Sequence, residues 1–186
     1  VYHAFDAATM EIGRFEGMLP AHWKIDPGGM VRELTDAEKI DAGVMTVQPN
    51  EKLEGGQIVQ KTRQDRVNDG LQTLLQVREE EVMRLRAEVE GHLGTAKTAS
   101  GYRLDNLARQ KAAVSLQYRE LPADNAQKVA LLGSGMIYED AGTDEILAAV
   151  QSVQAAYATA KAALDTAVAD GQPVASFEAV RLANYL

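Results

Sequence analysis

The side chains that could carry chemistry in this chain are few and scattered. There are three histidines, His3, His22 and His92, and no cysteine. The histidines fall in three different predicted elements and none has an i,i+4 partner, so the sequence does not indicate a metal site. Without Cys, a thiolate metal site, a disulfide and a cysteine nucleophile are excluded. We therefore predict no metal and no cofactor.

Two short motifs could be mistaken for catalytic ones. Glu79-Glu80-Glu81 offers adjacent carboxylates, but successive helix positions point in different directions and no apolar pocket is implied that would raise a pKa. Gly133-Ser134-Gly135 lacks both the spacing of a nucleophile elbow and the Lys of a phosphate loop, so we predict a turn there. With no catalytic residue to name, we expect a protein that is not an enzyme.

The composition favours closely packed helices over a thick core. Alanine occupies 29 of the 186 positions, whereas aromatic residues make up only 5% of the chain. Alanine is the strongest helix former and lets helices approach closely. The net charge of −8 disfavours nucleic acid and anionic membranes as partners. The expected fold class is α+β and mostly helical.

The first predicted segment, residues 1–33, is a small β-hairpin followed by a loop. Val1 to Phe5 and Met10 to Phe15 are β-compatible runs around a polar turn, and the Pro- and Gly-rich stretch after Gly17 predicts an irregular connection. The aromatic residues of this segment have two readings: a small core packed over the hairpin, or an exposed docking surface for a partner. They are Tyr2, Phe5, Phe15 and Trp23.

The second predicted segment, residues 34–74, contains a 27-residue repeat in two copies. Leu34 to Val47 aligns with Lys61 to Leu74, with identical Thr, Gly and Thr columns and six chemically similar ones. In each copy a Thr and an acid three residues later predict a capping box, and a Gly predicts the helix end. Val44 to Val47 and Gln57 to Val59 are expected to be strand-like, with turns at Pro49-Asn50 and Gly55-Gly56.

The third predicted segment, residues 75–186, is helical. From Leu71 the apolar spacing changes to a coiled-coil register that predicts a helix over 71–90, ended by Gly91 and Gly94. Its stripe has two possible partners: the same helix of other copies, or the helices expected over 102–120 and 143–170. The predicted oligomer interface consists of Leu71, Leu75, Arg78, Val82, Leu85, Val89 and His92.

The later helices are predicted from the same kind of pattern. The helix over 102–120 is expected to bury Leu104, Leu107, Val114, Tyr118 and Leu121 on one face, with Lys111 interrupting it. A short helix over 125–132 is expected to be capped by Asp124, and the last long helix to begin at Thr143. Its predicted stripe runs from Ile146 to Val168. Ser176 is a candidate cap for a final turn.

Residues 1–75 resemble tail-fibre and tail-fibre-associated virion proteins of tailed bacteriophages. These often begin with a Tyr-x-x-aromatic-Asp-x-x-Thr-x-Glu hairpin, here Tyr2 to Glu11. They continue with Leu-Thr-x-x-Glu-Arg-x-x-x-Gly-Leu units, here Leu34 to Val44 and Lys61 to Leu71, joined by a Pro-containing turn and a Gly-x-x-Ile-Val strand. The chain departs from this pattern in having two units and a Lys at the start of the second.

The resemblance implies a structural role in the virion tail, as a fibre or fibre-attachment protein. Such a protein is made in the host cytoplasm, contacts other tail or baseplate proteins, and is commonly a homotrimer; the family has no catalytic residues to carry over. The helical seam at 71–92 independently favours a homo-oligomer. The alternative function is a monomeric helical adaptor or tail-assembly chaperone that does not remain in the particle.

Overall fold

The computed structural model describes residues 2–5, 11–15, 22–28 and 30–186, the first two ranges by their backbone. The protein is α+β and mostly helical, with hairpins near the N-terminus and long helices after them, as predicted. It divides into two compact units, Val1–Asp69 and Gly70–Leu186, in place of the three predicted segments. Thus the hairpin segment and the repeat segment belong to one unit.

The first unit contains a four-stranded sheet in the order β2-β1-β4-β3. The predicted hairpin is present as β1 (Tyr2–Phe5) antiparallel to β2 (Glu11–Phe15), and its turn lies outside the described residues. The prediction of an irregular connection between Gly17 and residue 33 was wrong in part. β3 (Trp23–Ile25) and β4 (Val31–Glu33) form a second antiparallel pair there. β4 also pairs in parallel with β1, at Ala4 and Val31.

Two short helices follow the sheet in the chain, one in each predicted repeat copy. They are α1 (Asp36–Asp41) and α2 (Arg63–Asn68), and each begins with a complete Thr–acid capping box. Gly43 and Gly70 take the left-handed conformation that ends each helix, with φ of 70° and 71°. The local prediction for these helices is therefore confirmed.

A hairpin of β5 (Glu51–Glu54) and β6 (Gln57–Gln60) lies in the chain between these helices. Gly55 and Gly56 both have positive φ, as the two central residues of a type I′ hairpin turn must. The strand expected over Val44 to Val47 was wrong, and the first strand of the pair begins after the turn at Pro49-Asn50. α1 is tied to the hairpin because the Ile58 amide donates to Asp36 Oδ2 at 2.8 Å.

The second unit is a helical bundle. α3 and α4 both pack on the longest helix, α6, and the C-terminal helix α7 packs on α3 and α6. The bounds of its helices are α3 (Leu74–Thr95), α4 (Asn106–Tyr118), α5 (Ala126–Gly133), α6 (Asp140–Ala169), α7 (Val174–Glu178) and a 3-10 turn (Leu182–Asn184). α3 therefore folds back on α6 of its own chain.

Several predicted helix ends were wrong for local reasons. α3 begins at a third capping box, Thr73 with Gln76, and runs through both Gly91 and Gly94. The cap of α5 is Asn125, whose Oδ1 accepts from two amides, in place of Asp124. α6 begins at Asp140, so Thr143 is buried inside its first turn. Ser176 lies within α7 and caps nothing.

The core of the second unit consists of aliphatic residues, one aromatic residue and several alanines. α6 contributes Ile146, Val153, Ala160 and Leu164, much of the predicted stripe. Gly142 lets α6 approach the ring of Tyr102 so closely that an added Cβ would lie 2.7 Å from Cζ. The fully buried side chains of largest volume are Phe177, Leu85, Ile146, Leu164, Leu182, Val77 and Thr143.

Candidate functional site

The predicted oligomer interface does not form one exposed face. Val82 and Leu85 are buried inside the fold of a single chain, so their assignment to an interface between copies is corrected. Both lie on the face of α3 that also buries Val77 and Leu93. Leu71 and Leu75, by contrast, are exposed, and Val89 and His92 are half-buried. Leu71 precedes α3, and the other six residues drift around the helix because its repeat of 3.6 residues per turn does not match a seven-residue spacing.

The two polar residues of that seam have different surroundings. Arg78 donates to Asp165 of α6, with Nε 2.8 Å from Oδ1, and this contact lowers the pKa of Asp165. His92 borders an open depression of about 390 Å³ with Glu88 and Leu182 near the end of the described chain. Arg78 therefore joins two helices of one chain, whereas His92 remains partly accessible.

The predicted docking residues lie in the first unit. Trp23 is half-buried on β3 opposite Glu33, and its ring centroid is 6.2 Å from that of His22. The side chains of Tyr2, Phe5 and Phe15 lie outside the described part of the structure, as does that of His3. The hairpin geometry is therefore known, but the docking prediction is not tested.

The Glu79–Glu81 run divides among three environments, and its middle residue, Glu80, accepts a hydrogen bond from Gln72 Nε2 at 2.8 Å. Glu81 is buried and forms an ion pair with Arg84, which also pairs with Glu88 at 2.9 Å. Glu88 in turn accepts a hydrogen bond from the Leu182 amide at 2.8 Å. This network joins α3 to the C-terminal segment, which is a structural role. Glu79 is exposed.

Within the described ranges, no group of three or more His, Asp or Glu side chains could hold a metal ion. In the same ranges, no helix is both long enough and apolar enough to cross a membrane.

The largest departure from the sequence prediction is on α4. The residues that α4 buries are small, namely Ala108, Ala112 and Ser115. The large residues Leu107 and Val114, predicted to face the core, each stand one position before one of these small residues. They therefore lie about 100° away around the helix axis. Leu107 is accordingly 63% exposed and Val114 is also exposed, whereas Leu104, which precedes α4, is buried as predicted.

This displaced stripe forms one wall of an apolar groove of about 340 Å³. The other wall comes from α5 and from the segment between α5 and α6, including Met136, which is 59% exposed. We call it the α4 groove, and it is lined by Leu107, Gln110, Lys111, Val114, Tyr118, Leu131, Met136 and Ile137. Open apolar surface of this kind is typical of an interaction site.

One cation lies within the α4 groove. The Lys111 ammonium is 5.7 Å from the centre of the Tyr138 ring, which is close enough for a cation–π contact. No carboxylate of the described residues forms an ion pair with Lys111. The groove therefore presents an apolar surface interrupted by one positive charge that has no anionic partner among those residues.

The wall formed by α5 is incompletely packed. This eight-residue helix has no buried residue, although it carries Val129, Leu131 and Leu132. It is fixed mainly by polar contacts, since Lys128 Nζ donates to the carbonyls of Arg119 and Leu121 at 3.2 and 3.0 Å. An apolar helix left in this state gains stability if another surface covers it.

A second exposed apolar surface lies on α3. Leu75 is 54% exposed and Met83 is 71% exposed, and Glu79 lies midway between them on the same side of the helix. Glu79 has no hydrogen bond or ion pair with any described residue. We call these three residues the α3 outer face. It has the same apolar–charged–apolar order as the groove stripe, with the opposite charge.

The sequence contained a signal for the groove that periodicity alone did not reveal. Ala108, Ala112 and Ser115 recur at i, i+4 and i+7, the pattern of small residues that allows close helix approach. The buried Ser115 hydroxyl has a partner for both of its roles in hydrogen bonding. It donates to the Lys111 carbonyl at 2.7 Å and accepts from the Tyr138 amide at 2.8 Å. Close approach to an Ala-rich helix favours this small face over the bulky one.

No protein-family model matches the chain, and neither a curated protein nor a solved structure matches it significantly.

Proposed function

We propose that this protein is a structural component of a bacteriophage tail, a fibre or fibre-attachment protein that assembles as a homo-oligomer. The tail assignment is supported by the sequence pattern of residues 1–75, whose capped helices and Gly-Gly hairpin are formed in the fold. The observation that carries the assembly part is the exposed apolar surface of the helical unit, above all the α4 groove.

The proposal assigns different roles to the two units. The first unit, with Trp23 and the N-terminal hairpin, would dock on other tail or baseplate proteins. The second unit would supply the contacts between copies, with a trimer as the expected state. A groove whose lining includes two leucines, a valine and a methionine is costly to leave exposed in water, at about 25 cal/mol for each Å² of apolar surface.

Two measurements test this function. Light scattering on the purified chain is expected to give a mass that is a multiple of 20.1 kDa. Quantitative mass spectrometry of particles of the phage that encodes the chain is expected to find it at a fixed, small-integer ratio to another tail protein. Absence from purified particles, with presence in infected cells, would contradict the proposal and favour the assembly-chaperone alternative.

A further inference from the structure

The geometry points to a specific contact between copies: the α3 outer face of one chain docks in the α4 groove of a second chain. This inference rests on the proposed homo-oligomeric function and identifies its interface. Both surfaces belong to the same unit, so each copy would offer one groove and one outer face.

The spacing of the two surfaces matches. On α3, Leu75 and Met83 each lie four residues from Glu79, which is about 6 Å along a helix axis. On α4, Leu107 and Val114 lie four and three residues from Lys111, about 6 and 4.5 Å along the axis. When the two helices pack, the apolar–charged–apolar row of α3 lies against that of α4. The spacings of the two rows along their helix axes differ by only about 1.5 Å.

The charges of the two surfaces are complementary. Glu79 and Lys111 each lie between apolar residues, and neither has an oppositely charged partner among the described residues of its own chain. Bringing them together supplies each charge with a partner while the flanking apolar residues leave water. Paired charges beside an apolar seam also determine which helix surfaces associate.

The contact is heterologous, because different surfaces of the two copies meet. Such contacts produce a closed ring when the rotation between copies closes, and otherwise an open filament. A ring of three copies is the expected trimer. The surfaces use Leu75 from the predicted interface together with Glu79, Met83 and the α4 residues that were not predicted to contact another copy.

The experiment uses charge reversal on the full chain, followed by mixing. Glu79→Lys would bring two ammonium groups together at each junction, and Lys111→Glu would bring two carboxylates together. Each variant alone should require at least a tenfold higher concentration to associate, measured by sedimentation velocity. An equimolar mixture should recover association, because a junction between the two variants again has opposite charges. The variants cannot alternate around a ring of three, so the mixture should recover only open dimers held by one such junction, whereas the double variant Glu79→Lys/Lys111→Glu, in which every junction has opposite charges, should recover the trimer.

Matched leucines on one helix provide a further control. Leu107→Asp should abolish association, whereas Leu116→Asp should leave it unchanged, because Leu116 is exposed on α4 but does not line the groove. Circular dichroism checks that both variants keep their helical content.

Two outcomes would overturn the inference. If the wild type associates but the single charge reversals do not weaken it, or the double variant does not recover the assembly, another surface joins the copies. If the wild type is a monomer at every concentration, no second copy occupies the groove. A monomeric wild type would also contradict the homo-oligomer part of the proposed function, whereas particle composition separately decides the tail assignment.

Discussion

The two units are stabilised by different kinds of interaction. Among the described side chains of the first unit, Val31 alone is buried, whereas the second unit buries Phe177, Leu85 and Ile146 completely. The first unit relies on a set of polar contacts made by two helix-capping acids. Hydrogen bonds and ion pairs thus position its short elements, while apolar packing positions the long helices.

Each capping acid of the first unit has a second, tertiary role. Glu38 accepts from the Thr35 amide at 2.9 Å and from both terminal nitrogens of Arg32 on β4 at 2.8 Å. Asp65 accepts from the Thr62 amide at 2.9 Å and pairs with Lys52 of the hairpin at 2.9 Å. One carboxylate therefore both begins a helix and fixes it to a strand.

The largest expected effect comes from the core of the second unit. Phe177→Ala should lower the free energy of unfolding by about 3–5 kcal/mol, because it removes a buried ring and leaves a cavity. The measurement is urea denaturation followed by far-UV circular dichroism, which reports mainly the long helices. The exposed Val129→Ala on α5 is the control, with an expected change below about 0.5 kcal/mol.

The single tryptophan distinguishes the units in the same experiment. Trp23 belongs to the first unit, so its fluorescence follows that unit alone. In Phe177→Ala the helical transition should move to lower urea than the tryptophan transition. Equal displacement of both transitions would mean that the units unfold together, which would contradict the conclusion that each unit is stabilised by its own kind of interaction.

Local devices of the fold were predictable because they depend on neighbouring residues. The Thr–acid spacing predicted both capping boxes, and Gly43, Gly70 and Gly55-Gly56 predicted the helix ends and the turn. Residues close in sequence determine these features, so no tertiary information was needed.

Features that depend on distant residues were not predictable. β3 and β4 are three residues each, and β4 gains a parallel partner, β1, from the other end of the segment. The inward face of α4 depends on its packing against α6, a distant element, so most of its bulky stripe was assigned to the wrong side. The α4 groove follows from that tertiary choice.

Acid should affect the first unit before the second, because the first unit has little buried apolar area to offset the loss, whereas the carboxyls with lowered pKa in the second unit, Glu145 and Asp165, belong to a bundle held mainly by apolar packing. Hydrogen bonds from Arg32 and Lys24 hold the pKa of Glu38 far below its usual value, and Lys52 lowers the pKa of Asp65 to about 2. A carboxyl with a lower pKa in the folded state contributes stability that is present above its unfolded pKa and is lost as the pH falls. For Asp65 the loss occurs between about 3.8 and about 2.

A pH titration checks this expectation with the same two probes. The Trp23 fluorescence transition should lie at higher pH than the helical transition. Glu38→Gln should destabilise the first unit at neutral pH and flatten its acid dependence below about pH 4.5, the usual pKa of that carboxyl. Asp41→Asn, which removes an exposed carboxylate just three residues later, is the matched control. Coincident transitions would contradict the expectation.

The smallest expected effect compares two helix caps of the same type. Thr62 begins the six-residue α2 and Thr73 begins the 22-residue α3, and both are exposed. Replacing either by Ala removes two hydrogen bonds, one that the hydroxyl accepts from the N3 amide and one that it donates to the N3 side chain, and should cost about 1 kcal/mol. In α3 the loss is confined to the first turn of a long, packed helix.

In α2 the same loss should be larger, because the cap supplies a big share of the few contacts that hold so short a helix. The Asp65 carboxylate would also lose the hydrogen bond that it accepts from the Thr62 hydroxyl, and this is the carboxylate that pairs with Lys52 of the hairpin. Thr62→Ala should therefore lower the tryptophan transition more than Thr73→Ala lowers the helical one, and Thr62→Ser should restore it. An equal cost in both helices would mean that the first unit depends less on its caps than on buried apolar area.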